Sequence, residues 1–534
     1  MKPIALVPLD SRPCCRSFPE SIAAIGGFRL LTPPVERLGR FMLPGDCSGV
    51  RDWLSEAASQ ADGIVVAADQ LAYGGLIASR TCERSFEQAM ETLDVLREIK
   101  ERYPSKPIYV ASVLMRITIT GKNALFAKYW KLVADYAKLY DRVHRLQESG
   151  LEEELARVHS QIPQEVLEDF FRARERNKLV HLKLIEWAGA GVIDYLAITQ
   201  EDASPVGVHI PEQQELQRVM YEQRAQAKTI LYPGADEAAQ TLLTRMMQTL
   251  SGRRVKVYPR FSSEAGKLAI PAFEDRPVEE TVRAHLWSAG AIVVGAAQEA
   301  ELILSVNPPM SGKPDGGQEP HGLKACFDSR HMLTDLVESA RYDMLQGRRV
   351  AVADVAMPNA SDVELVRYLL DERLFTGLTA YAGWNTAGNT LGTCIAHAVA
   401  RTLQTMGASS SNKTEADTEH YSFLLSRLMD EWGYQAQARG EVNGWISEQG
   451  LSGSPWDLES DYDRVNSKAA EIVRQLFDKT KPQLLGPVFP AAGGAGGAII
   501  GAELDTVRLP WNRTFEAEVR VRVSLADDGD PTTV

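Results

Sequence analysis

Long apolar runs are missing from this chain. Nowhere do 18 consecutive apolar residues occur, so no membrane-spanning helix is expected. Positive charge is also short: 58 Lys and Arg stand against 71 Asp and Glu, and the net charge of −13 argues against nucleic acid or an anionic membrane as the main partner. Six cysteines (Cys14, Cys15, Cys47, Cys82, Cys326 and Cys394) show no C-x-x-C spacing, which predicts free thiols in a cytoplasmic protein. The sequons at Asn412 and Asn512 then carry no meaning. Histidines number nine, with no HxH or HExxH, so a dedicated zinc site is not expected. A GxSxG elbow and a Walker GxxxxGK[ST] are absent, and AGGAGGA at 492–498 has neither the order nor the acidic partner of a dinucleotide fingerprint. The opening MKPIALVPLD lacks the long apolar segment and cleavage site of a signal peptide and reads as a first strand.

What the sequence has is a repeated alternation of short β-branched runs, polar loops and segments of helical period. That is the pattern of βα units and mostly parallel sheet. Eleven strands are predicted: Ile4–Pro8, Arg29–Thr32, Gly63–Ala67, Ile108–Val113, Tyr195–Thr199, Thr229–Tyr232, Val255–Tyr258, Ala291–Val294, Leu302–Val306, Val350–Asp354 and Leu378–Tyr381. The fold class is α/β, arranged either as two Rossmann-like lobes or as a barrel with an added domain. Apolar positions at spacings of three and four from Leu125 to Leu139 mark a helical insertion over 122–190. Domain boundaries are expected near 250, where SGRR precedes a new strand, and near 407, where a polar, Ser-rich stretch (407–417) reads as a flexible loop. The resulting division is 1–250, 251–406 and 407–534. The last region has helical segments containing Trp432, Trp445 and Trp456, a period-two strand in EAEVRVRVSL, and a disordered tail.

In open α/β sheets and in barrels alike, ligands bind at the carboxyl ends of the strands. Those positions carry a series of carboxylates here: Asp10, Asp69, Asp202, Asp236 and Asp354. The most polar of the loops is 377–393, GLTAYAGWNTAGNTLGT, with four glycines and seven hydroxyl or amide side chains behind a strand. An ordinary strand-to-helix turn needs one glycine and one capping residue, so the surplus suggests a ligand-facing loop, followed by a helix around Leu391–Leu403. Paired carboxylates suit glycosidic cleavage, in which one protonates the leaving oxygen and the other activates water or attacks carbon. Two of the five aspartates would serve as general acid and base. Arg12, Gln70, Tyr73, Arg116, Asn359, Trp384, Asn385 and Asn389 are the candidates for holding the substrate. The expected partner is a polar small molecule, a sugar in the leading reading. An oxygen-ligated Mg or Mn enzyme, a hydrolase or isomerase using Asp10, Asp69, Asp202 and His209, is the first alternative, and a non-catalytic sugar-binding protein is the second. No cofactor beyond that divalent ion is implied.

PLDSRPC at 8–14, ADQLAYGGLIASR at 68–80, YPGADE at 232–237, DVAMPNASD at 354–362 and YAGWNTAGNTLGT at 381–393 together resemble an uncharacterised, mainly bacterial family of about this length, a domain of unknown function. The resemblance covers nearly the whole chain and implies no established reaction. Asn359-Ala360 stands where the family pattern often has Asn-Gly, which puts in question any role that needs glycine there.

Overall fold

A computed structural model describes residues 1–120, 124–309, 323–407, 413–489 and 497–526. The chain forms two compact units. The N-terminal unit comprises Met1–Arg16, Arg29–Met246 and Phe273–Arg276; the C-terminal unit comprises Ser17–Phe28, Met247–Ala272 and Pro277–Val534.

Six strands build the N-terminal unit: β1 (Pro3–Val7), β2 (Arg29–Leu31), β3 (Gly63–Ala67), β4 (Ile108–Leu114), β5 (Tyr195–Gln200) and β6 (Thr229–Pro233). They form one open sheet in the order β2-β1-β3-β4-β5-β6, parallel throughout. β3, β4 and β5 are buried at every position, which is why they read as continuous apolar runs and not as alternating ones. One face of the sheet, including Val7, Val66, Val110 and Ile198, joins a core with Leu54, Leu71, Leu96 and Leu184. The helical insertion consists of Ala124–His144, Glu152–Ser160 and Gln164–Ala190, with residues 121–123 outside the described part. Its last helix serves two cores: Val166, Phe170 and Ala173 pack within the insertion, while Val180, Leu184 and Trp187 pack on the sheet.

The C-terminal unit holds β7 (Lys256–Phe261), β8 (Ile292–Val293), β9 (Leu302–Asn307), β10 (Val350–Asp354) and β11 (Ala380–Ala382). Their order is β11-β10-β9-β7-β8, again parallel. Read from β8, this is the 2-1-3-4-5 arrangement, the order that also begins the N-terminal sheet. Both sheets are therefore open, and the barrel alternative does not apply. All eleven strands expected from sequence are present.

A small antiparallel sheet of β12 (Gly486–Pro487), β13 (Ala498–Arg508) and β14 (Glu518–Leu525) closes on the C-terminal core through Ile499, Ala502, Val519, Val521 and Val523. Helix Lys413–Arg427 lies along β14: Ser426 and Ser422 hydroxyls accept from the backbone N–H groups of Val521 (2.9 Å) and Val523 (3.2 Å). An edge that would template strand addition is thereby occupied. Helix Ser17–Ile25 also belongs to this unit, with Phe18 meeting Phe423 edge-on at 5.4 Å.

Three expectations are corrected. Helix Ala387–Gly407 begins before Leu391, so Asn389 and Thr390 lie in its first turn and not in a free loop. Lys413–Asp417 of the supposed flexible loop is helical, while 408–412, including Asn412, lies outside the described residues. Trp456 sits in an exposed turn between Ser454 and Asp457, not in a helix. Most of AGGAGGA (492–496) and the tail 527–534 also fall outside the described residues. No helix among the described residues is long and apolar enough to cross a membrane.

Candidate functional site

In the N-terminal sheet the chain reverses direction across β1 and β3, with β2 built to one side and β4 to β6 to the other. The carboxyl ends of that strand pair are where a parallel sheet opens a crevice. The loop after β1 carries Asp10 and Arg12, and the loop after β3 opens helix Ala68–Tyr73 with Asp69 and Gln70. Gly74 (φ 89°) ends that helix in the left-handed region, and Gly75 (φ 124°) follows. A Cβ on Gly75 would lie 3.3 Å from the Leu9 carbonyl, and one on Gly39 would lie 2.1 Å from the Gly74 carbonyl. The two strand-end loops and the 37–45 segment thus pack backbone on backbone. Gln70 is part of this packing, its Oε1 accepting from Gly39 N–H at 3.1 Å.

Arg12 bridges two carboxylates from opposite ends of the unit's sequence. Its Nε donates to Asp10 Oδ1 and Oδ2 at 3.0 Å, its Nη2 to Asp10 Oδ2 at 2.7 Å, and its Nη1 and Nη2 to Asp236 at 2.9 and 2.6 Å. All three side chains are buried. Burial works to lower the Arg12 pKa, but Asp10 and Asp236 more than offset it and hold the guanidinium charged. Burial raises the Asp236 carboxyl against the pull of Arg12. A shared guanidinium that ties the ends of β1 and β6 is foremost an anchor.

Asp69 is differently placed. It is 1% exposed; Oδ2 accepts from Val113 N–H at 2.9 Å, and Oδ1 accepts no hydrogen bond from another residue. Burial pushes its pKa up to about 7. Beyond it, Arg80 is forked on Glu201, with Nε 3.2 Å from Oε2 and Nη2 on Oε1. Arg116 reaches Asp202 at 3.4 Å. The Asp202 pKa is raised, by burial first and by Glu201 second. Gln200 is held by Gln213, which also donates to Asp275 at 2.9 Å. Tyr73 is buried, with the Arg176 guanidinium 4.2 Å from its ring centroid.

The oxygen-ligand set considered for a divalent ion is not gathered. His209 is buried with Nε2 2.9 Å from the Ser204 carbonyl, and burial lowers its pKa to about 4. Among the described residues, the group whose ligand atoms come within 4.8 Å of one another is Cys14, Cys15 and Asp236. Two thiols suit a softer metal than Mg or Mn, and burial works to keep both protonated.

The C-terminal unit carries its own buried polar cluster at the ends of β9, β10 and β11. Asn307 Nδ2 donates to Asp354 Oδ1 at 3.0 Å and to Asp362 Oδ2 at 3.4 Å, and Tyr381 donates to Asp354 Oδ2 at 3.3 Å. Burial, then Asp362, raises the Asp354 carboxyl. Asp362 caps helix Val363–Asp371. Glu431, within an 11-residue π-helical stretch Leu428–Ala438, accepts from Gly383 N–H and from Arg427 at 3.0 Å. Burial lifts its pKa to about 7. Asn359 N–H donates to the Asn385 carbonyl at 2.7 Å and joins the two loops. Asn359 itself takes φ 63°, so the left-handed position is filled by asparagine and Ala360 needs no glycine. Trp384 is 6% exposed against Phe515, with ring centroids 5.7 Å apart, and Asn389 donates to Thr386 Oγ1 at 3.0 Å.

The candidates from sequence therefore fall into two groups. Asp10, Arg12, Asp69, Gln70, Tyr73, Arg116, Asp202 and Asp236 belong to the N-terminal unit, and Asp354, Asn359, Trp384, Asn385 and Asn389 to the C-terminal one. Sequence reasoning passed over Asn307, although it ends a strand that had been located. It also passed over Arg427 and Glu431, which a helical period conceals.

Fold and site together define an α/β protein of two units, each an open parallel sheet with buried carboxylates at its strand ends. The chain belongs to the family described as "Protein of unknown function (DUF4127)", which matches residues 4–520. Among curated proteins none matches it.

Proposed function

We propose that this chain is an enzyme transferring a proton to or from a polar small molecule at the strand-end loops of the N-terminal unit, and that it hydrolyses a glycoside. The observation that carries this reading is Asp69: a buried carboxyl just past the end of β3, one oxygen fixed by Val113 N–H, the other accepting nothing from another residue, with a proton affinity near neutrality. A group of that kind can donate to a leaving oxygen at pH 7. Asp202, with about a third of its side chain exposed, is the second carboxylate. Asp69 and Asp202 follow β3 and β5, which flank β4, so two strand spacings of about 4.8 Å separate their loops. Inverting enzymes place a water between two carboxylates, and an inverted product is the outcome this pair predicts. Asp10, Arg12 and Asp236 tie the loops after β1 and β6 together.

The test is turnover of a nitrophenyl glycoside panel by the full chain, followed by Asp69→Asn and Asp202→Asn and by the anomeric form of the first product. Loss of turnover in both variants with an inverted product supports the proposal. Undiminished turnover in Asp69→Asn overturns it, and tight sugar binding without turnover replaces it with the non-catalytic reading.

A further inference from the structure

We propose that the substrate carries an oxyanion group, a carboxylate or a phosphate, which binds the guanidinium of Arg116 beside Arg80. This deepens the reading above and rests on it for the location of the site. Arg80 and Arg116 converge on one hydroxyl: Arg80 Nη1 and Arg116 Nη2 donate to Thr120 Oγ1 at 3.0 and 3.5 Å. Their counter-ions are unequal. Arg80 is forked on the two oxygens of Glu201 through Nε and Nη2. Arg116 has one long contact to Asp202, 3.4 Å, and a bond of 3.1 Å to the Ile119 carbonyl, while its Nε is shielded from water and has no hydrogen-bond partner.

An incoming oxyanion competes for Nη1, which holds only the long Asp202 contact, whereas Nη2 already donates to Ile119 and Thr120 and Nε is shielded. Neighbouring cations add to the demand: burial, and then Arg116, lowers the Arg80 pKa. Asp202 is a weak rival for Nη1. It sits at φ 39° with its side chain 32% exposed, so it can leave Arg116 when a better-placed anion arrives. The backbone under Arg116 is held in advance, since Arg174 Nη1 donates to the carbonyls of Met115 (3.0 Å) and Arg116 (2.8 Å). Val113, whose N–H fixes Asp69, lies three residues before Arg116, so one strand-end segment carries both the anion subsite and the partner of the proton-transferring group. Release of Asp202 from Arg116 would leave that carboxylate to act on water.

Inorganic phosphate and glucuronate, titrated separately into the full chain with glucose as the uncharged comparison, test the inference and tell the two sources apart. At least one anion is expected to bind about tenfold or more tightly than glucose. Arg116→Gln should weaken that anion about tenfold, Arg116→Lys should recover part of the loss, and Asp202→Asn should tighten binding several-fold. The last result is a gain, which misfolding cannot imitate. Anion affinity no greater than that of glucose, an unchanged affinity in Arg116→Gln, or weaker binding in Asp202→Asn overturns the inference. Asp69→Asn separates the two proposals: if it abolishes turnover while the anion arm fails, the substrate inference falls alone. If it retains turnover while anions still bind through Arg116, the catalytic reading falls and the subsite stands.

Discussion

Replacing Asp69 by asparagine isolates the proton that the proposed chemistry needs. The Asp69 pKa lies at about 7 against an ordinary 3.8, so the folded protein holds this proton more tightly than the unfolded chain does. Its stabilising contribution is fully present below pH 3.8 and is lost as the pH rises through about 7. At about 1.4 kcal/mol per tenfold step the whole interval is worth about 4 kcal/mol, of which about 2 to 3 kcal/mol disappears between pH 5 and pH 8. Asparagine does not titrate, and its carbonyl can still accept from Val113 N–H. Its amide N–H₂ would face the space where Oδ1 accepts nothing, an orphan donor costing about 1–3 kcal/mol at every pH. The diagnostic is therefore the slope and not the offset: Asp69→Asn should gain about 2 to 3 kcal/mol on the native protein between pH 5 and pH 8. Urea unfolding followed by circular dichroism at several pH values measures it. A variant whose stability follows the native pH slope within about 0.5 kcal/mol would refute the assignment of that proton to Asp69.

Arg12→Gln should destabilise by about 3–5 kcal/mol, because Asp10 and Asp236 lose a shared buried partner. The loss in urea midpoint should be larger at pH 8 than at pH 5, where the abandoned Asp236 carboxyl, raised by burial, can take up a proton. Gly39→Ala drives a Cβ against the Gly74 carbonyl, so a loss of about 1–3 kcal/mol is expected in the same assay, together with reduced turnover from the displaced β1 and β3 loops. Asn359→Gly should be tolerated within about 0.5 kcal/mol, whereas Asn359→Val at φ 63° should cost about 1–2 kcal/mol, read as a lowered thermal midpoint.

All eleven strands of the two sheets were legible in the sequence because a strand buried on both faces leaves a short apolar run whatever its neighbours are. Strand ends were legible for the same reason, and with them Asp10, Asp69, Asp202, Asp236 and Asp354. Less was visible where a helix decides the environment. Asn389 and Thr390 read as loop residues because their glycine-rich context outweighed helical period, yet helix Ala387–Gly407 includes both. Glu431 and Arg427 lie in a continuous helical stretch, and nothing in local composition shows that Glu431 accepts from Gly383 N–H. Asn359-Ala360 looked like a departure from a glycine position, but the backbone places the positive φ one residue earlier.

By itself the sequence determined the α/β class, the helical insertion, the C-terminal β element and the roster of strand-end carboxylates, since each follows from local periodicity and turn chemistry. Only the tertiary structure decided the strand order, and so which two loops meet at a crevice. It also decided which carboxylates are already engaged. Asp10 and Asp69 look alike in sequence, each an aspartate one to three residues past a strand. One is locked to Arg12, and the other is buried with an oxygen that no other residue satisfies. The difference comes from residues distant in the chain, Asp236 for the first and Val113 for the second, and proton affinity depends on such neighbours more than on residue type.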